Sequence, residues 1–270
     1  MKKILCPTDF SNSAQNAIAY AAKFAKATQA SLTLLNVQPT TSAVLVNDPG
    51  QDIISITGQM EELRREVQKS FKISCDAEVL QSGRLLSDAL AERGNDFDMI
   101  VMGTHGVGNT MEFFAGSNTY HAIRKSATPV LLIPSDCTYS EIRSMVYAYD
   151  YLNARKLPIR QLQQWIKSID AEVTVLQVNE EAISQDVLDE MQELQSIISE
   201  ECKNDDVSIA FDSIRSAEIA PSIHSYMQRN ESDVLALCTK DRNFIQQLFH
   251  KSVIKVISEI AGYPVLVFHE

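Results

Sequence analysis

Gly103-Thr-His-Gly106, followed after nine residues by Gly116-Ser117, is where this sequence could do chemistry. The stretch follows an apolar run, Met99 to Met102, that reads as a buried strand, and precedes Asn118 to Ser126, which reads as a helix. Glycines between a strand and a helix let backbone N–H groups approach an anion with no β-carbon in the way. A plainer reading is a strand-to-helix turn that needs a positive φ. A second element lies near the N terminus, at Pro7-Thr8-Asp9-Phe10-Ser11. Asp9 there could accept a hydrogen bond from a ligand, or cap the helix after it. Ser117 has the same two readings.

Several familiar catalytic arrangements are missing. There is no GxxxxGK[ST] loop, so this is not a P-loop NTPase. There is no GxSxG nucleophile elbow, and no GxGxxG follows a strand. The only hydrolysis this leaves is a slow one by an ordered water.

The elements that must position these residues alternate. Lys3 to Cys6 reads as a strand and Ser13 to Ala27 as an amphipathic helix, with Ala17, Ala21 and Phe24 at helical spacing. Ser31 to Val37 is a strand, and Gln38 to Gly50 a loop. Ile53 to Ser70 is a helix, Ser74 to Leu80 a strand, and Leu86 to Gly94 a helix closed by its glycine. Met99 to Met102 and Pro129 to Ile133 complete the set. Strands separated by helices of this length imply right-handed crossovers and a parallel sheet, and continuous apolar strands imply that both faces are covered.

The second half repeats the first. Ser144 to Asp150 mirrors Lys3 to Asp9, and Ala171 to Val178 mirrors Ala30 to Val37, each 141 residues on. Asp233 to Leu237 mirrors Asp98 to Met102, and Pro264 to Phe268 mirrors Pro129 to Ile133, each 135 residues on. Constant offsets over long stretches indicate an internal duplication. The expected domains are residues 1–138 and 139–270, joined across the polar stretch Pro134 to Ser140. In the second copy Cys238, Asp241 and Lys251 stand where the first has Gly103, Gly106 and Gly116, and only the serine survives, as Ser252. Ala148 and Tyr149 replace Pro7 and Thr8, whereas Asp150 matches Asp9. β-carbons at three glycine positions should obstruct a phosphate, so the second copy reads as degenerate.

At these residues the chain resembles the universal stress protein family, as two tandem copies of its domain. Gly103, Gly106, Gly116 and Ser117 match the spacing of its nucleotide-binding branch. The resemblance implies a Rossmann-like α/β fold in each copy, an open five-stranded parallel sheet of order 3-2-1-4-5. It implies that ATP, or ADP or AMP, binds in the first copy. Its site residues would be Pro7, Thr8, Asp9, Val37, Gly103, Gly106, Gly116, Ser117 and Asn118. Asp9 would take a hydrogen bond from the nucleoside, and Val37 would offer backbone N–H and C=O to an adenine edge. Gly103 and Gly106 would let the backbone pass ribose and α-phosphate, and Gly116, Ser117 and Asn118 would open a helix whose dipole favours phosphate. His105 reads as a loop residue, His121 as helix surface, and Phe113, Phe114 and Ile123 as packing. The loop from Val107 to Ala115 has no Lys or Arg, and Glu112 adds the wrong sign for a polyphosphate. Mg²⁺ would then matter, because it offsets phosphate charge. The resemblance further implies a regulatory stress-response role, with the second copy as structural partner. Two alternatives are an interaction scaffold that binds no nucleotide and a carrier of small hydrophobic ligands. Pairing of the last strands, Pro129 to Ile133 with Pro264 to Phe268, would make one chain a pseudo-dimer, or join two chains as a homodimer.

Composition sets outer limits. Of 270 residues, 45% are hydrophobic and 22% charged, as in ordinary globular proteins. The net charge is −11, split as −2 over residues 1–138 and −9 over 139–270. That argues against nucleic acid as a partner, which calls for a basic face. No apolar run is long enough to span a membrane, and the first residues lack the pattern of a signal peptide, so a cytoplasmic protein is expected. The five cysteines, Cys6, Cys75, Cys137, Cys202 and Cys238, include no CxxC pair, which argues against a disulfide framework or a zinc site.

Overall fold

The computed structural model describes residues 1–39, 49–83, 86–104, 125–149, 159–179, 209–239 and 262–269, with a few isolated helical positions between 185 and 200. Gly106, Gly116, Ser117 and Asn118 lie outside the described residues, as do His105, Glu112, Phe113, Phe114, His121, Ile123, Asp150, Cys202, Asp241, Lys251 and Ser252. The chain divides into two compact units, Met1–Tyr139 and Ser140–Glu270.

In unit 1 the described elements are β1 (Lys3–Pro7), α1 (Asn12–Thr28), β2 (Ser31–Pro39), α2 (Pro49–Phe71), β3 (Cys75–Ser82), α3 (Leu86–Gly94), β4 (Met99–Gly103) and β5 (Val130–Ile133). The strands lie in the order β3-β2-β1-β4-β5, and every pair is parallel. This is the fold expected from the sequence. Ile4, Leu5 and Cys6 of β1 are fully buried, as are Ile100 and Val101 of β4. Helix α1 presents Ala14, Ala17, Ala21, Ala22 and Ala25 among its buried residues, and their small side chains let it lie close to the sheet. Burial pushes the Cys6 thiol far above its ordinary range, and neighbouring Cys75 adds to the shift, so Cys6 is an inert core residue.

The end of β2, the start of α2 and the cap of α3 depart from the sequence reading. Strand β2 continues through Gln38 to Pro39, because its ladder with β3 extends to Gln38↔Gln81 and Pro39↔Ser82. A ladder needs backbone only, so polar side chains do not end it. Helix α2 begins at Pro49 rather than Ile53. Proline suits a first helical turn, where its missing N–H costs nothing. Gly94 ends α3 without a left-handed cap, since no described glycine has a positive φ. Its role is close packing instead, for a β-carbon there would lie 2.8 Å from Cδ1 of Ile100.

In unit 2 the described elements are β6 (Ser144–Tyr149), α4 (Ile159–Ile169), β7 (Glu172–Asn179), β8 (Ile209–Arg215), α5 (Ile219–Arg229), β9 (Val234–Thr239) and β10 (Val265–His269). Their order is β8-β7-β6-β9-β10, again all parallel, so the second sheet repeats the topology of the first. Tyr147, Leu162, Trp165 and Phe268 are among its buried residues.

The repeat reaches single atoms. In unit 1 the Asp98 carboxylate accepts from the backbone N–H of Lys2 (2.6 Å) and Lys3 (2.9 Å), fastening the start of β1. In unit 2 Asp233 accepts from the N–H of Arg143 (2.8 Å) and Ser144 (3.0 Å), fastening β6. Gln29 and Asp170, after α1 and α4, are both left-handed, with φ of 56° and 54°.

Candidate functional site

The residues between β1 and α1 form a tight, internally bonded turn. Thr8 is buried, and its three polar groups are all committed. Its N–H donates to the Leu35 carbonyl (2.8 Å), its hydroxyl accepts from the N–H of Phe10 (3.1 Å), and its carbonyl accepts from Nδ2 of Asn36 (2.8 Å). Asp9 is exposed and accepts the N–H of Ser11 at Oδ1 (3.0 Å). Between them Phe10 sits at φ 63°, a left-handed conformation uncommon for a bulky residue. The cap of α1 is Ser11, whose side chain accepts from the N–H of Ala14 (3.3 Å). Asp9 therefore shapes the turn before the helix, and Ser11 does the capping.

Strand order puts this turn at a defined place. β1 lies between β2 and β4, where successive connections run to opposite sides. Open parallel sheets bind ligands beyond the carboxyl ends of their strands at such a point. On the β2 side, the Leu35 carbonyl points at β1, where it meets Thr8. Backbone groups two residues on point the same way, so Val37 directs its N–H and C=O past Pro7, the last residue of β1. On the β4 side, the register Ile4↔Met99 and Leu5↔Ile100, continued, brings Thr8 level with Gly103. Beyond Gly103, Thr104 is buried and donates its N–H to the Ile133 carbonyl (2.8 Å).

Pro7, Thr8, Asp9, Val37 and Gly103 thus gather at one sheet edge, while Gly106, Gly116, Ser117 and Asn118 are outside the described residues. Glycine at 103 has a second reason that the sequence did not show. A β-carbon there would lie 2.8 Å from the carbonyl carbon of Ser13 and 3.4 Å from the N of Ala14. The first turn of α1 is what excludes a side chain.

Sequence reasoning missed Asn36. It is 3% exposed, and it links the end of β2 to the β1 turn. Gln38 in turn donates Nε2 to Asn36 Oδ1 (2.5 Å), orienting that amide. The signal was present: an asparagine inside the apolar run Leu32 to Val37 needs a partner when buried.

Among the described residues there is no group of three His, Cys, Asp or Glu that could hold a metal ion. No described helix is long and apolar enough to cross a membrane.

Comparison with known proteins accords with this geometry. Residues 1–134 match the model of the universal stress protein family. A universal stress protein of Thermus aquaticus is 29% identical over 143 residues, 49% of this chain and 98% of that one. A universal stress protein structure from Archaeoglobus fulgidus aligns over 99% of this chain and 98% of its own, with a TM-score of 0.75 at 17% identity. A Pseudomonas aeruginosa structure, provisionally described as a universal stress protein, aligns over 100% and 93%, with a TM-score of 0.58 at 15% identity. At these identities the two structures speak to the fold alone. By its first 134 residues, and by a fold that both units share, the chain belongs to the universal stress protein family.

Proposed function

We propose that unit 1 binds an adenine nucleotide beyond the carboxyl ends of β1, β2 and β4, and that the protein acts as a regulator in stress responses, with nucleotide occupancy as its signal. The observation that carries this reading is the convergence of the exposed Asp9, the Val37 backbone and Gly103 where the strand order reverses. The residues fit such a ligand. Val37 turns an N–H and a C=O toward the space past Pro7, a donor and acceptor pair that matches an adenine edge. Asp9 stands where it can accept from a nucleoside. The GxxG…GS spacing from Gly103 to Ser117 supplies the glycines and the serine for phosphate. Mg²⁺ accompanies the nucleotide in this reading, its charge offsetting Glu112. Unit 2, with Cys238, Asp241 and Lys251 at the glycine positions, serves as a structural partner and holds no nucleotide phosphate.

The test is isothermal titration of nucleotide-stripped protein with Mg·ATP, wild type beside Gly116→Lys, which copies the residue of unit 2 into unit 1. One site per chain, lost in the variant, is expected. Absence of binding in the wild type overturns the reading in favour of a scaffold. Two sites per chain overturn the assignment of unit 2.

A further inference from the structure

Near their ends strands β2 and β7 each carry two side-chain amides two residues apart, and the second pair reverses the first. β2 carries Asn36 and then Gln38, whereas β7 carries Gln177 and then Asn179, 141 residues on. In unit 1 the bonds run through: Gln38 donates to Asn36, and Asn36 donates to the Thr8 carbonyl. In unit 2 they stop. Gln177 Nε2 donates to Asn179 Oδ1 (2.9 Å). Gln177 Oε1 and Asn179 Nδ2 are buried, and among the described residues neither has a hydrogen-bond partner. Gln177 is only 4% exposed. Turning both amides over changes nothing in the count, for one donor and one acceptor would still be left over.

The place of these atoms is as informative as their state. Gln177 pairs in register with Tyr149, the last residue of β6. β6 lies between β7 and β9, where the order of the second sheet reverses. The leftover donor and acceptor therefore stand at the edge where parallel sheets take ligands. Leaving such groups unmade is costly, and natural cores rarely do so without a partner of another kind.

We propose that unit 2 binds a small neutral molecule that presents an N–H and an acceptor side by side, an amide or nucleobase edge, to Gln177 and Asn179. Such a ligand returns one donor to Gln177 Oε1 and one acceptor to Asn179 Nδ2. The net charge of −9 over residues 139–270 disfavours a phosphorylated ligand. Unit 2 then holds a ligand of different chemistry while still serving as structural partner to unit 1, and this assignment does not depend on nucleotide binding in unit 1.

The experiment follows the side-chain NH₂ signals of Gln177 and Asn179 by NMR in the full-length ¹⁵N-labelled protein, during titration with uracil and, separately, with adenine. Saturable shifts of both signals with at least one probe are expected, with affinity at least about tenfold lower in Gln177→Leu and in Asn179→Leu. Urea unfolding without probe should find the double variant Gln177→Leu/Asn179→Leu at least as stable as wild type, because both unpaired atoms are removed and neither amide is left without its partner. Three results overturn the proposal: no shift with either probe, shifts that survive in both variants, or contacts from these amides to a buried water alone. Shifts confined to Asn36 and its neighbours would place the probe in unit 1, and also count against it.

Discussion

A β-carbon on Gly103 would lie 2.8 Å from the carbonyl carbon of Ser13, and closer still to its oxygen. The end of β4 and the first turn of α1 thus touch backbone to backbone, and no side-chain rotation can relieve an added atom. Gly103→Ala should destabilise unit 1 by about 1–3 kcal/mol through overpacking. Gly94→Ala meets the tip of Ile100, a flexible side chain, and regains up to about 1 kcal/mol of helix propensity. Its net effect should stay within about 1 kcal/mol of zero. Urea unfolding of the two variants decides the matter, and equal losses would show that the backbone contact at 103 is not what matters.

Replacing Asn36 by leucine removes the donor that meets the Thr8 carbonyl. A buried carbonyl left without its partner costs about 1–3 kcal/mol. The Thr8–Asp9 turn also loses its tie to β2. Asn36→Leu should therefore lower both the unfolding free energy and the affinity for nucleotide, read by denaturation and calorimetry. Unchanged stability would mean that the Thr8 carbonyl finds another donor.

Hydrogen bonds from Arg64, joined by one from Arg65, hold the Glu61 carboxyl down at about 2, against an ordinary 4.5. A carboxyl depressed by folding stabilises above its unfolded value, and that contribution fades as pH falls through its folded value. Stability should therefore decline between about pH 4.5 and pH 2 through this residue. These groups are partly exposed, so the effect is small and sensitive to salt. Circular dichroism melts of wild type and Glu61→Gln across that range make the comparison. A variant whose melting temperature falls in parallel with wild type would remove Glu61 from the account.

Much of the fold was legible because its signals are local. The apolar runs at Lys3 to Cys6 and Met99 to Met102 became buried strands, and the strand order followed from a recognisable family. What escaped were relations between distant segments. Gly103 was chosen for by Ser13, ninety residues earlier in the chain, and no feature of the strand-to-helix stretch reveals that. Asn36 looked like one polar residue in an apolar strand until the Thr8 carbonyl appeared beside it. Gln38 looked like loop because its side chain is polar, although its backbone pairs with Gln81. Pro49 could have been read, since proline is at home in the first turn of a helix. Of the candidate site, Asp9, Val37 and Gly103 are placed at one sheet edge, and Ser11, not Asp9, caps the helix.

The grip of Asp98 on Lys2 and Lys3 has a consequence for how the molecule is born. Strand β1 is central in its sheet, and the acid that fastens it is made some ninety-five residues later. At translation rates of about 5–20 residues per second, Ile4, Leu5 and Cys6 wait roughly 5–20 s for their partner on that side. During that interval a strand destined for the middle of a sheet has an open edge, the condition in which nascent chains pair wrongly or need a chaperone. Asp233 imposes the same delay on β6. The duplicated architecture therefore makes its ribosome-bound chain vulnerable twice, once per copy, each time until the fourth strand of that copy emerges.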